Sequence, residues 1–175
     1  PRDIGVQVSL GVWLKKIGRT EEGGRQLAAA VAGNPNNAEA QVHYGDYLFS
    51  VGRFAEAAEC SRRATVLNST WTEPYRLLAA ALTKLERGDE ARAALESAAR
   101  LDPNAAELRK ELGVTLAQQG DFAAAAEQFA AVVARRPADT AALLNLGSAL
   151  ARLEQWREAA ERYRQVLKLE PQNAA

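Results

Sequence analysis

The sequence has no methionine, one cysteine and one histidine, and only 6% of its 175 residues are aromatic. A lone cysteine, Cys60, excludes a disulfide within the chain and leaves the redox compartment open. A lone histidine, His43, with no second His or Cys at ligand spacing, argues against a metal centre. Apolar residues branched at Cβ are scarce as well, 11 Val and 2 Ile against 37 Ala and 21 Leu. Sheets draw on branched and aromatic side chains and helices on Ala and Leu, so an all-β domain is excluded. Net charge is missing too: 22 Lys and Arg balance 22 Asp and Glu. Binding to a nucleic-acid backbone needs a basic excess to displace counterions, which argues against that class of partner. No uninterrupted apolar run exceeds about seven residues, far short of the roughly 18 a membrane-spanning helix requires. The 47% hydrophobic content is nevertheless ample for a folded core and rules out a disordered chain. The start at Pro1-Arg2 and the lack of Met read as an excised or processed segment. Any targeting signal would then lie elsewhere, with cytoplasmic and periplasmic placements both open.

What is present is a period. Pro35, Pro103, Pro137 and Pro171 are separated by 68, 34 and 34 residues, and the missing member falls on Ser69. Gly11, Gly45, Gly113 and Gly147 share the register, with Ala79 in the third place. So do Gly23, Ala57, Ala91, Ala125 and Ala159, and Leu27, Ser61, Leu95, Phe129 and Tyr163. Five units follow: 4–37, 38–71, 72–105, 106–139 and 140–173. Each reads as two helices. In the fourth, Leu108, Leu112 and Leu116 predict a helix over Glu107–Gln119, and Phe122, Ala125, Phe129, Val132 and Val133 a second over Phe122–Arg135. Gly18, Gly52 and Gly120 supply the left-handed residue that ends the first helix, and proline ends the second. Glu86 and Glu154 replace that glycine, so their turns are expected to close differently. Glycine inside the first helix costs about 1 kcal/mol relative to Ala, which predicts a neighbouring helix passing very close. Gly23-Gly24 is expected to loosen the second helix of the first unit.

The spacing Leu112-Gly113-x2-Leu116, Gly120, Phe122, Ala125-x3-Phe129, Pro137 resembles the tetratricopeptide repeat. Asn145-Leu146-Gly147, Trp156, Ala159, Tyr163, Pro171 matches again, as does Tyr44-Gly45, Gly52, Phe54, Ala57, Ala64. No unit has Trp at its fourth position, although Tyr75 comes near. The resemblance implies an all-α fold, a right-handed superhelical solenoid of antiparallel helix pairs forming one continuous array. It also implies a concave groove, lined by one face of the first helices, in which partner peptides lie.

Carried onto this chain, positions 2, 5, 9, 12 and 13 of each unit face that groove. The candidate partner-binding residues are Val8, Val12, Lys15, Lys16, Val42, Asp46, Phe49, Arg76, Lys84, Lys110, Asn145 and Arg152. Val8, Val12, Val42 and Phe49 would form an exposed apolar patch, a usual sign of a contact surface. Lys16, Lys84 and Arg152 would form a basic line. Pairs such as Glu73 with Arg76 and Glu107 with Lys110 fit a solvated helix face equally well. The terminal-carboxylate clamp that some family members carry is absent, since Asp46 and Glu111 would repel a carboxylate, and the asparagine ladder of others is reduced to Asn145.

No catalytic constellation emerges. Cys60 has no identifiable base, Gly23-Gly24 is not followed by the Lys-Ser of a phosphate loop, and the carboxylates lie along helix faces. No cofactor is implied. The reading is a protein–protein interaction scaffold rather than an enzyme, taking a peptide or helical segment of another protein. Two alternatives are a substrate-recruiting arm of a larger enzyme such as a glycosyltransferase, or an assembly scaffold of a bacterial envelope, which the Ala- and Arg-rich composition fits. The chain stops at Gln172–Ala175, just after Pro171. Tyr163, Val166 and Leu169 are therefore expected to form an exposed C-terminal edge through which copies could self-associate.

Overall fold

The computed structural model describes residues 3–170, and among them the secondary structure is entirely helical. Pro171, the last member of the proline series, and the Gln172–Ala175 tail lie outside the described residues. The chain divides into two compact units, Pro1–Asp102 and Pro103–Ala175. The first holds α1 (Ile4–Lys16), α2 (Thr20–Gly33), α3 (Ala38–Ser50), α4 (Phe54–Leu67), α5 (Thr72–Lys84) and α6 (Gly88–Leu101). The second holds α7 (Ala106–Gln118), α8 (Phe122–Arg135), α9 (Thr140–Arg152) and α10 (Trp156–Leu169). First helices have 13 residues and second helices 14, and the start of each kind recurs every 34 residues.

The turn inside each helix pair follows one hydrogen-bond scheme. After α1, the Gly18 N–H donates to the Lys15 carbonyl at 3.1 Å and the Arg19 N–H to the Leu14 carbonyl at 2.9 Å. These are the two bonds of a Schellman ending, which satisfies carbonyls the helix leaves free. Gly18, Gly52 and Gly120 take φ of 84°, 80° and 84° to make it. Contrary to expectation, Glu86 and Glu154 do not close their turns differently. They adopt φ of 59° and 61°, and Arg87 and Gln155 donate to Leu82 and Leu150 at 2.9 Å in the same way. The repeat geometry overrides the local preference of glutamate.

Between helix pairs, a side chain at the fourth position of the first helix binds a loop carbonyl six residues earlier. Gln41 Nε2 donates to Pro35 O at 2.8 Å, the Tyr75 hydroxyl to Ser69 O at 3.3 Å and Arg109 Nε to Pro103 O at 3.1 Å. Three unlike side chains at one repeat position make the same kind of contact.

The helices of each pair run antiparallel and nearly touch. A Cβ built on Gly33 would meet Ile4 at 2.8 Å, and one on Gly11 would meet Leu27 at 2.6 Å. On Gly113 and Gly147 it would meet the rings of Phe129 and Tyr163 at 2.7 Å. The expected close approach is therefore real, and the residue opposite decides how tight it is. At Gly45, whose register partner is the short Ser61, the nearest atoms are Leu77 of α5 at 3.2 Å and, across its own pair, Cys60 at 3.3 Å. Nor is α2 loosened by its two glycines: it runs the full 14 residues. A Cβ on Gly23 would lie 2.6 Å from the Gly11 carbonyl, and one on Gly24 would lie 2.1 Å from the buried ring of Tyr47. The glycines are what let α1 and α3 approach. The first unit's core gathers Leu27, Leu48 and Leu82, and the second's gathers Phe129, Val132 and Leu143.

Candidate functional site

The first helices carry the variable face, and the structure sorts the sequence candidates into three groups. The first group is core. Val8 and Val42 are 2% and 3% exposed, so the anticipated patch does not form from them. In the first unit α1 packs beside α3 and α3 beside α5. The fifth position points into those seams, where a short apolar side chain is swallowed and a long one such as Arg76 reaches out. Val12 remains exposed. Phe49 is half-buried, edge-on to Phe54 with ring centroids 5.2 Å apart, and this pairing accounts for its size. The apolar stripe that α1 does expose is Val6, Leu10, Trp13 and Ile17, at helical spacing and missed in the sequence reading.

The second group is already neutralised. Lys15 Nζ lies 2.5 Å from Asp46, and Arg76 is 2.8 Å from Glu73. Lys110 Nζ sits 3.1 Å from both Glu107 and Asp139, and Arg136 reaches Glu107 at 3.3 Å. Burial works against the charge of Lys110, but its two carboxylates hold its pKa above the ordinary value. Burial likewise penalises the Asp139 charge. A bond from the Ala142 N–H and the Lys110 ammonium outweigh that and depress its pKa. In the sequence Lys110 resembles a groove cation; in the fold it ties α7 to the cap of α9.

The third group lines an open concavity of about 480 Å³ within the second unit. Its walls are Val114, Ala117 and Gln118 of α7 and Asn145, Ser148, Ala151 and Arg152 of α9, over a floor of Phe122, Phe129 and Tyr163. The Arg152 guanidinium carbon stands 4.3 Å from the centre of the Phe122 ring, a cation–π contact. Ser148 and the Tyr163 hydroxyl share a hydrogen bond of 3.3 Å. Arg152 is exposed, and no carboxylate of the described residues pairs with it. Lys16 and Lys84, its register mates, are exposed in the first unit.

The expected C-terminal edge is corrected in two of its three members. Val166 is 8% exposed, because it continues the core column Ala30, Ala64, Ala98 and Val132 that faces each pair's own first helix. Tyr163 is half-buried against Gly147 and forms part of the concavity floor. Leu169 is exposed, together with Trp156 and Leu167. Phe122 and Tyr163 are the groove residues that reading the first helices alone overlooked. The available signal was an aromatic in the second helix, thirty residues before the cation it contacts.

Away from the groove, burial pushes the Cys60 thiol up to about 11, leaving it protonated at neutral pH. His43 Nε2 is 3.9 Å from Glu39 on the same helix. Among the described residues no cluster of His, Cys, Asp and Glu could hold a metal, and no helix is long and apolar enough to cross a membrane.

Two family models described as tetratricopeptide repeat match residues 76–140 and 116–175, together 100 of the 175. A third, described as anaphase-promoting complex, cyclosome, subunit 3, matches residues 26–98. Among solved structures, MamA superposes with a TM-score of 0.89 at 22% identity, covering 98% of this chain and 93% of that one. MamA 41-end from Desulfovibrio magneticus RS-1 gives 0.88 at 19% identity, covering 100% and 99%. YrrB, described as a TPR protein with an unusual peptide-binding site, gives 0.85 at 24% identity, covering 97% and 88%. At these identities the likeness is one of fold. No curated protein sequence matches the chain.

Proposed function

Since the chain belongs to the tetratricopeptide-repeat family, we propose that it serves as a protein–protein interaction scaffold whose second unit holds a peptide of a partner between α7 and α9. The observation that carries this reading is the concavity of about 480 Å³ between those helices, walled by residues the repeat leaves free to vary. Its floor is aromatic and its rim offers an amide, a hydroxyl and a cation, the usual make-up of a site that buries apolar groups and orients them with a few polar contacts. YrrB, a protein of the same fold, is described as having a peptide-binding site, which supports looking for peptide here.

Pull-down from a lysate of the source organism, comparing the native chain with Val114→Glu and Ser148→Arg, tests the proposal. Both side chains are exposed, so helix content should be unchanged while captured partners are lost. Capture that survives both substitutions would place the interaction elsewhere.

A further inference from the structure

Resting on that groove reading, we propose that the second unit's concavity selects extended segments carrying a side-chain carboxylate two residues from a bulky apolar side chain. The charge inventory points there. Of the six cationic candidates, Lys15, Arg76 and Lys110 are paired with carboxylates, and only Arg152 lines the concavity. No acidic side chain is among its lining residues, so the site carries one uncompensated positive charge. Resting over the Phe122 ring, the Arg152 guanidinium is held in place, and no carboxylate of the described residues uses its N–H donors. Holding it in advance lowers the ordering cost of binding an anion.

Register and reach follow from the helices. Asn145 and Arg152 are seven residues apart on α9, a rise of roughly 10 Å, which an extended chain of about three residues spans. One step along α7, Glu111 occupies the register position of Asn145, and Gln118 that of Arg152. Arg152 is the one charged residue lining the concavity, so an anion is favoured at the Arg152 end. Alternate residues of an extended segment share a face, so an apolar side chain over Val114, Phe129 and Tyr163 places the carboxylate two residues on. A single cation, with no second basic group beside it, suits a side-chain carboxylate more than a chain terminus.

The experiment is selection of a display library of random internal dodecapeptides, with no free C-terminus, on the native chain and on Arg152→Ala. Enrichment of Asp or Glu two residues from a bulky apolar residue, in either order, on the native chain and its loss on Arg152→Ala is the expected result. For a peptide recovered this way, Glu→Gln should weaken binding roughly tenfold, and Arg152→Glu should invert the preference toward Lys. Peptides that need Val114 and Ser148 but show no acidic preference would overturn this inference and leave the groove reading standing. Recovery of nothing, or of peptides indifferent to Val114→Glu and Ser148→Arg, would overturn both. Amide spectra of Arg152→Ala matching the native chain away from α9 would confirm that the change in selection is not a folding defect.

Discussion

Gly24→Ala is the substitution that most directly challenges the packing described above. In an unconstrained helix it would stabilise by about 1 kcal/mol, the propensity difference between the two residues. Here the new Cβ would stand 2.1, 2.4 and 2.5 Å from three atoms of the Tyr47 ring, more than 1 Å inside ordinary contact. The ring has little room to retreat: Tyr47 is 8% exposed, stacks on Tyr44 with centroids 6.0 Å apart, and donates to Glu21 at 3.1 Å. Overpacking of this kind costs about 1–3 kcal/mol, and displacing the hydroxyl adds about 1 kcal/mol. Set against the propensity gain, Gly24→Ala should destabilise by about 1–3 kcal/mol, lowering the melting temperature by roughly 2–10 °C for a chain of this length. In a Tyr47→Ala background the clash is gone and the sign should reverse, the added methyl stabilising by about 1 kcal/mol. Gly45→Ala, with its nearest neighbours at 3.2 Å, is the control and should change stability by less than about 1 kcal/mol. Urea unfolding followed by circular dichroism measures the native chain and all four variants. Equal effects of Gly24→Ala in both backgrounds would show that the α2–α3 approach is not what demands glycine.

Other expectations are as direct. Glu154→Gly should raise the unfolding free energy measured in urea by up to about 1 kcal/mol, because it relieves a left-handed backbone that costs a non-glycine residue about 1–2 kcal/mol while adding some unfolded-state entropy. Asp139→Asn keeps an oxygen for the Ala142 N–H but removes the charge facing Lys110, and should cost about 1 kcal/mol near neutral pH. Asp139 has a depressed folded pKa, so its contribution is fully present above its ordinary value of 3.8 and fades as pH falls through the folded one. Stability curves of the native chain and Asp139→Asn should therefore converge in acid, and curves that stay parallel below pH 3.8 would contradict the pairing. Cys60, with its thiol near 11, should react with iodoacetamide at pH 8 far more slowly than a free cysteine and at an ordinary rate in urea.

Helix α1, apolar on more than one face, shows where local pattern stops deciding burial. Its place as a first helix and its glycine ending were legible from spacing, as was α8, expected and observed at Phe122–Arg135, while α7 runs one residue earlier than the expected Glu107–Gln119. The exposed face of α1 was legible in part: Val12 and Lys16 are exposed as expected, Val8 is buried, and Val6, Leu10 and Trp13 are exposed as well. Helical periodicity fixes which residues share a stripe, but two apolar stripes of α1, one through Val8 and one through Val6, Leu10 and Trp13, look equally suited to burial until a neighbour is present. Lys110 was misread for a similar reason, since nothing local announces an aspartate 29 residues on. Val166 was misread despite a visible column of equivalent residues that pointed to its burial.

What the sequence determined alone is most of what repeats: the period, the helix pairs, the glycine and alanine seams and the left-handed turn at its three glycines, whereas the structure showed that Glu86 and Glu154 accept the same turn. These recur because each unit solves the same local packing problem. What only the tertiary structure decided is how the non-repeating residues divide between core, ion pair and open surface. A cation becomes a structural tie or a free binding group according to which side chains stand within a few ångströms, and those come from other helices. Lys110 and Arg152 occupy the same kind of exposed-face position, and the fold tied one to Asp139 and left the other over a ring, facing open solvent.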